Sequence, residues 1–229
     1  MGELQNNVIE FMVYGESALF TNPIMTISGE QMSYQVPTYS ALQGIMESNY
    51  WKPTLYWQPL EVRVMNPIRL EPRSKLLPKY AAFGNDLAYY TYLRDVCYQV
   101  RVALKWSQDE RYAKDRNEKK HIESAKRWLS RGGKKNIYLG KAECVGFIEP
   151  CEYGTGKGYY DGVDMSFGLM LHGQTFPNLA KNEDEKNKLI TRMFYAEMKN
   201  GIIHFPEPED CPVKRVIREE SPIWVTPKY

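Results

Sequence analysis

The stretch DVCYQVRVALKW, residues 95–106, limits the fold more than any other part of the chain. Val96, Tyr98, Val100, Val102 and Leu104 take alternate positions, the period of two that a half-buried strand requires. Other segments fall in a fixed order around it. VIEFMVY (8–14) is apolar apart from Glu10 and reads as a strand. PTYSALQGIMESNYWKP (37–53) carries Ala41, Leu42, Ile45 and Met46 at helical spacing, with Thr38 or Ser40 as cap and Pro53 closing it soon after Tyr50. LEVRVMNP (60–67) alternates as a strand. Residues 114–131 put Ile122, Ala125 and Leu129 on one side of a helix that Gly132 and Gly133 stop, and KAECVGFIEP (141–150) is the next strand.

Strand, helix, strand, strand, helix, strand is the βαββαβ plan of ferredoxin-like, RRM-like domains. An α+β chain is therefore expected, with a ferredoxin-like domain over residues 1–150. A long insert at about 66–94 mixes aromatic and basic residues. After Pro150 the texture turns to glycine and tyrosine. MFYAEMKNGIIHFP sets Asn200-Gly201 between two alternating runs, a hairpin signal. Residues 151–229 are expected to form a small antiparallel β-sheet domain packed on the first.

Charge is where function begins to show. The 229-residue chain carries a formal net charge of only +2, too little by itself to mark a polyanion binder. From Arg111 to Lys135, however, ten lysines and arginines face three acids, Asp115, Glu118 and Glu123. A solvated helix face is the ordinary meaning of such a run. Two details favour a polyanion: the acids do not interleave as i,i+4 partners across the whole run, and the cations continue past the Gly132-Gly133 stop into Lys134 and Lys135. The four cysteines (97, 144, 151, 211) lie far apart without a CxxC pair, so reduced thiols are expected rather than a zinc site or disulfides. The opening MGELQNNVIEFMVYG has no basic-then-apolar signal pattern and no apolar run approaches spanning length. A cytoplasmic chain with no membrane partner is the expectation.

His121 stands inside the basic run, next to Lys120. A histidine on a polar helix is most often a bystander. Cutting RNA without a metal, though, needs a group to take the 2′-hydroxyl proton, another to protonate the leaving 5′-oxygen, and cations to hold the phosphorane. Adjacent helical residues diverge by about 100°, so both side chains can reach into one crevice beside the helix. Tyr50, at the end of the first helix, either covers the helix terminus or meets the 120–121 pair across the helix layer. A phenol of ordinary pKa near 10 suits orienting a 2′-hydroxyl better than deprotonating it. GTGKGYYDG (154–162) lacks the GxxxxGK[ST] order and reads as a Gly-rich hairpin loop. The acids of NEDEK (183–185), Asp161 and Asp164 read as loop and turn acids rather than metal ligands, and His172 and His204 as structural. YQVRVAL (98–104) does not match the RNP1 pattern, which argues against base stacking on an open sheet.

Several blocks are long enough to be specific: ESALFTNPIM, SYQVPTYSALQGIMESNYWKP, RVMNPI, YTYLRDVCYQV, DRNEKKH, YLGKAECVGFIEP and NGIIHFPEPEDCP. Together they resemble the subtype I-C form of the fifth family of CRISPR-associated (Cas) proteins, within the RAMP superfamily, nearly end to end. The resemblance implies a ferredoxin-like domain followed by a small β-sheet domain. It implies an endoribonuclease, needing no metal or other cofactor, that cuts CRISPR repeat RNA at the base of its hairpin and leaves a 2′,3′-cyclic phosphate. It also implies that the protein stays on the 5′ handle of the crRNA as a subunit of the type I-C interference complex. The family's catalytic tyrosine falls on Tyr50 and its lysine–histidine pair on Lys120 and His121, with Lys119 as a rival lysine.

On this reading His121 shuttles the proton, Lys120 stabilises the phosphorane, and Tyr50 positions or activates the 2′-hydroxyl. Arg116, Lys119, Arg127, Arg131, Lys134 and Lys135 are expected to hold the RNA backbone, with Trp51 and Lys52 touching RNA near the cut. The rival reading is a non-catalytic subunit that caps the 5′ handle of an RNA cut by another enzyme. A weaker third is a nuclease using the scattered acids and a metal.

Overall fold

The computed structural model describes residues 7–219, apart from 24, 29, 80–82, 108, 177–179 and 181. Strand β1 (Val8–Ala18) is followed by a two-residue strand β2 (Gln31–Met32), helix α1 (Tyr39–Asn49) and strand β3 (Leu55–Val64). Then come β4 (Leu70–Pro78), β5 (Asn85–Trp106), α2 (Glu118–Leu129), β6 (Ile137–Tyr138) and β7 (Val145–Pro150). Strands β8 (Met165–Thr175), β9 (Lys188–Lys199), β10 (Ile202–His204) and β11 (Val213–Glu219) close the described chain.

The centre of the sheet runs β3-β5-β1-β7, each neighbour antiparallel. Alternation along these strands sends Ile9, Phe11 and Val13 of β1 and Tyr98, Val100, Val102 and Leu104 of β5 into one buried layer. Leu42, Ile45 and Met46 of α1 and Ile122, Ala125 and Leu129 of α2 complete it. The two helices meet directly: the Asn49 side-chain amide donates to the Ala125 carbonyl at 3.1 Å. Thr38 is the residue that caps α1, accepting from the Ala41 N–H at 3.2 Å.

Three features differ from the sequence expectation. The second helix does not begin at 114: residues Glu110–Asp115 form a separate 3-10 turn, and α2 starts at Glu118. Asn117 causes the break, since its side chain takes the Lys120 N–H at 3.1 Å and so caps a new helix. The 66–94 insert is a β-ribbon: β4 pairs with the first half of the 22-residue β5, from Leu70–Leu93 to Pro78–Asn85. Finally, the strands after Pro150 do not form a sheet set upon the first. Strand β10 pairs with β3, and β9, β8 and β11 follow, so one eleven-stranded sheet runs through the described residues. The hairpin at Asn200-Gly201 is present, with both residues at positive φ, 50° and 77°, as a type I′ turn demands.

Candidate active site

Helix α1 ends at Tyr50 because the backbone there turns extended, φ −156° and ψ 121°. Tyr50 is pinned from both ends of its peptide unit. Its N–H donates to the Met46 carbonyl at 2.9 Å, and its carbonyl accepts from the indole N–H of the fully buried Trp57 at 2.6 Å. The ring then lies across the helix layer against α2. Its hydroxyl sits 2.9 Å from Nδ1 of His121, a residue with 0% exposure. Trp106, at the end of β5, covers the imidazole edge-on with ring centroids 5.8 Å apart.

The other imidazole nitrogen fixes the direction of this bond. Nε2 of His121 lies 2.7 Å from the backbone carbonyl of Asp115. A carbonyl only accepts, so Nε2 carries the proton. In the neutral ring Nδ1 is then a bare lone pair, and the Tyr50 hydroxyl donates into it. Burial raises the Tyr50 pKa, so the phenol is held protonated. The pair is a phenol with a base behind it, and the phenol is the outer member.

Asp115 ties together Lys120, Thr54 and His121. Its carboxylate binds the Lys120 ammonium through Oδ1 and the Thr54 hydroxyl through Oδ2 at 3.2 Å, and Oδ2 lies 3.6 Å from His121 Nε2. The Lys120 hydrogen bond lowers the Asp115 pKa, and the same contact raises that of Lys120. Lys120 and His121 therefore do not share an open crevice. The imidazole is buried and the lysine side chain is 56% exposed, with Asp115 between them.

The expected RNA contacts divide into two groups. Trp51 (52% exposed) and Lys52 flank Tyr50 at the surface, and Lys119, Arg127, Lys134 and Lys135 are exposed on or just after α2. Arg131 is exposed and stacks over Trp128 at 5.5 Å. Arg116 is different. It is half-buried, folded back on the Ser107 carbonyl at 2.9 Å and Glu110 at 3.4 Å, so it braces the 3-10 turn. Sequence reasoning missed Thr54 and Trp106 and counted Asp115 only as a stray acid. Asp115 opens the DRNEKKH block five residues before Lys120, which was its one visible signal.

The remaining sequence candidates have structural partners. His172 is buried, stacks on Tyr39 at 3.9 Å and sits 3.0 Å from the Pro206 carbonyl; burial lowers its pKa to about 4. His204 lies 3.2 Å from Glu61. Asp161 takes the buried Arg63 guanidinium, Asp164 accepts from the Asn200 N–H, and Glu185 pairs with the buried Arg192 at 2.5 Å. Among the described residues no three of His, Cys, Asp and Glu gather as a metal site, and no helix is long and apolar enough to cross a membrane. The four cysteines are free thiols.

The chain that builds this sheet and this tyrosine–histidine pair falls within a known family of proteins. The family described as "CRISPR-associated protein (Cas_Cas5)" matches residues 8–206, and the chain belongs to it. Two curated relatives, from Mannheimia succiniciproducens and Thermus thermophilus, both carry the name "CRISPR pre-crRNA endoribonuclease Cas5d". They are 27% and 26% identical, over 87% and 86% of this chain and 95% and 91% of their own lengths. Two crystal structures share the fold. One, entitled simply a CRISPR-associated protein, has a TM-score of 0.72 at 30% identity, and a functionally uncharacterized protein from Streptococcus mutans has 0.71 at 32%. Each comparison covers 91% of this chain and 96% of the other.

Proposed function

We propose that this protein is a metal-independent endoribonuclease that cuts CRISPR repeat RNA by attack of the 2′-hydroxyl, leaving a 2′,3′-cyclic phosphate. It then stays on the 5′ handle as a subunit of a type I-C interference complex. The observation that carries this reading is the Tyr50–His121 hydrogen bond, 2.9 Å long, with the imidazole held in the base tautomer by the Asp115 carbonyl. A protein that only caps RNA has no use for a buried base aligned behind a phenol. The names of the curated relatives support the substrate class. The β3-β5-β1-β7 strand order with two helices on one face supports a ferredoxin-like arrangement for residues 1–150.

The chemistry balances with the residues present. The 2′-hydroxyl gives its proton to the Tyr50 oxygen as Tyr50 passes its own to His121 Nδ1. The 2′-oxygen–phosphorus bond forms, the phosphorus–5′-oxygen bond breaks, and Lys120 holds the phosphorane charge and protonates the departing 5′-oxygen. Exchange with water resets both groups. Trp51, Lys52, Lys119, Arg127, Arg131, Lys134 and Lys135 hold the RNA; Arg116 supports the turn that carries Asp115.

Cleavage of the repeat RNA from the protein's own CRISPR locus, assayed in EDTA, tests this reading. Wild type is expected to cut, to yield a cyclic phosphate, and to leave intact a substrate with 2′-deoxy at the scissile nucleotide. Tight binding without cutting would leave the capping subunit as the better description. Cutting abolished by EDTA would point to the scattered acids instead.

A further inference from the structure

Asp115 makes more contacts within the site than a brace for a turn requires. We propose that Asp115 is the positioning residue of a Tyr50–His121–Asp115 relay, its carbonyl fixing the imidazole tautomer and its carboxylate exchanging Lys120 for the protonated imidazole during cleavage. This rests on the endoribonuclease reading above and adds a residue to it.

The geometry gives each half of Asp115 a separate task. The carbonyl, 2.7 Å from Nε2, keeps the proton there and so leaves Nδ1 free to accept from Tyr50. The carboxylate has two oxygens with different partners. Oδ1 holds Lys120, while Oδ2 accepts from Thr54 at 3.2 Å and faces Nε2 at 3.6 Å. In the free protein Lys120 and the carboxylate neutralise each other beside the imidazole. An arriving phosphate competes with the carboxylate for Lys120, whose side chain is 56% exposed. That leaves a carboxylate, anchored by Thr54, with an unbalanced charge next to the imidazole. When His121 takes the proton relayed through Tyr50, the new imidazolium supplies the missing partner. The carboxylate is thus paired both before RNA arrives and after the proton is relayed, which matters because the buried imidazolium has no contact with water to stabilise it.

The groups facing His121 are few enough for a titration to be read. Tyr50 faces it from the end of α1, Asp115 from the 3-10 turn and Lys120 from its own helix, with Arg127 in electrostatic reach of Tyr50. Trp106 of β5 covers it without charge, and β1 and β7 beneath the helix contribute Ile9, Phe11, Val13 and Ile148 to the core.

The test is Asp115→Asn, which keeps the backbone carbonyl and the side-chain shape but removes the charge. Single-turnover cleavage of repeat RNA is measured from pH 5 to 9, with RNA affinity measured alongside. The variant is expected to cut about 10- to 100-fold more slowly, to bind RNA as tightly as wild type or tighter because Lys120 is released, and to move the acid limb of its pH–rate profile to lower pH. Thr54→Val, which frees the carboxylate without discharging it, is expected to show a smaller loss in rate with the limb unmoved. An unmoved limb in Asp115→Asn, or a rate loss explained wholly by weaker binding, reduces Asp115 to a structural brace and overturns the proposal. Wild type that binds but fails to cut overturns the endoribonuclease reading itself, and the relay with it. A thermal melt of each variant separates these outcomes from misfolding.

Discussion

His121 has no exposed surface and Tyr50 only 5%, so on the proposed reading RNA meets the Tyr50 hydroxyl and the imidazole acts from behind it. This division of labour predicts that Tyr50→Phe is nearly as damaging as removal of the histidine, since the phenol is the only link between base and substrate. Lys120→Ala is expected to slow cleavage by about 100-fold, by loss of charge on the phosphorane; single-turnover rates at saturating protein check it. At the same scale, His172 sets part of the acid stability. Its folded pKa of about 4 lies below the ordinary 6.5, so folding favours its neutral form. Its contribution is present above pH 6.5 and is lost as pH falls towards 4. Melting temperature is expected to drop across that window, and His172→Phe, which retains the ring stack on Tyr39, is expected to flatten the drop. Tyr50 and His121 were legible in the sequence because their chemistry lies in their side chains. Asp115 was not, because its closest contact with His121 is made by a backbone carbonyl, a group that every residue possesses.

The elements that aim these side chains are short and depend on single residues. Asn117 starts α2 at the turn that presents His121, and Asn117→Ala is expected to cost about 1 kcal/mol of stability, read by chemical denaturation. Gly140 is less forgiving. Its φ is +95° and an added Cβ would meet the Leu19 carbonyl oxygen at 2.0 Å, so Gly140→Ala is expected to lose on the order of 3 kcal/mol or more and to express as insoluble protein. Helix α1 could be read closely from its apolar spacing and from Thr38. The start of α2 was placed too early because Lys114, Asp115 and Arg116 are compatible with a helix, and only the Asn117 side chain decides against it. The first half of β5 was hidden for a different reason. In NDLAYYTYLR the strand belongs to an exposed ribbon and has no single buried face to impose a period of two.

Across the whole molecule, one group of cations lies exposed along α2 and beyond its glycine stop, while another is buried in ion pairs that serve the fold. Arg63 with Asp161 and Arg192 with Glu185 are of the second kind, buried and shared with backbone carbonyls. Lys134 and Lys135 are of the first kind, and the double alanine variant is expected to weaken RNA binding and reduce the salt slope by between one and two. The local excess of charge could be seen in the sequence because it is a property of one segment. The joining of β10 to β3 could not: it pairs Ile202 with Arg63, and no local pattern encodes a partner so distant along the chain.

The most direct test is a parallel measurement of cleavage and binding for wild type, Tyr50→Phe and His121→Ala on the same repeat RNA. The account predicts single-turnover rates lowered at least about 100-fold in both variants, with dissociation constants close to that of wild type. Variants that still cut at the wild-type rate, or that lose cleavage only because they no longer bind, would contradict it.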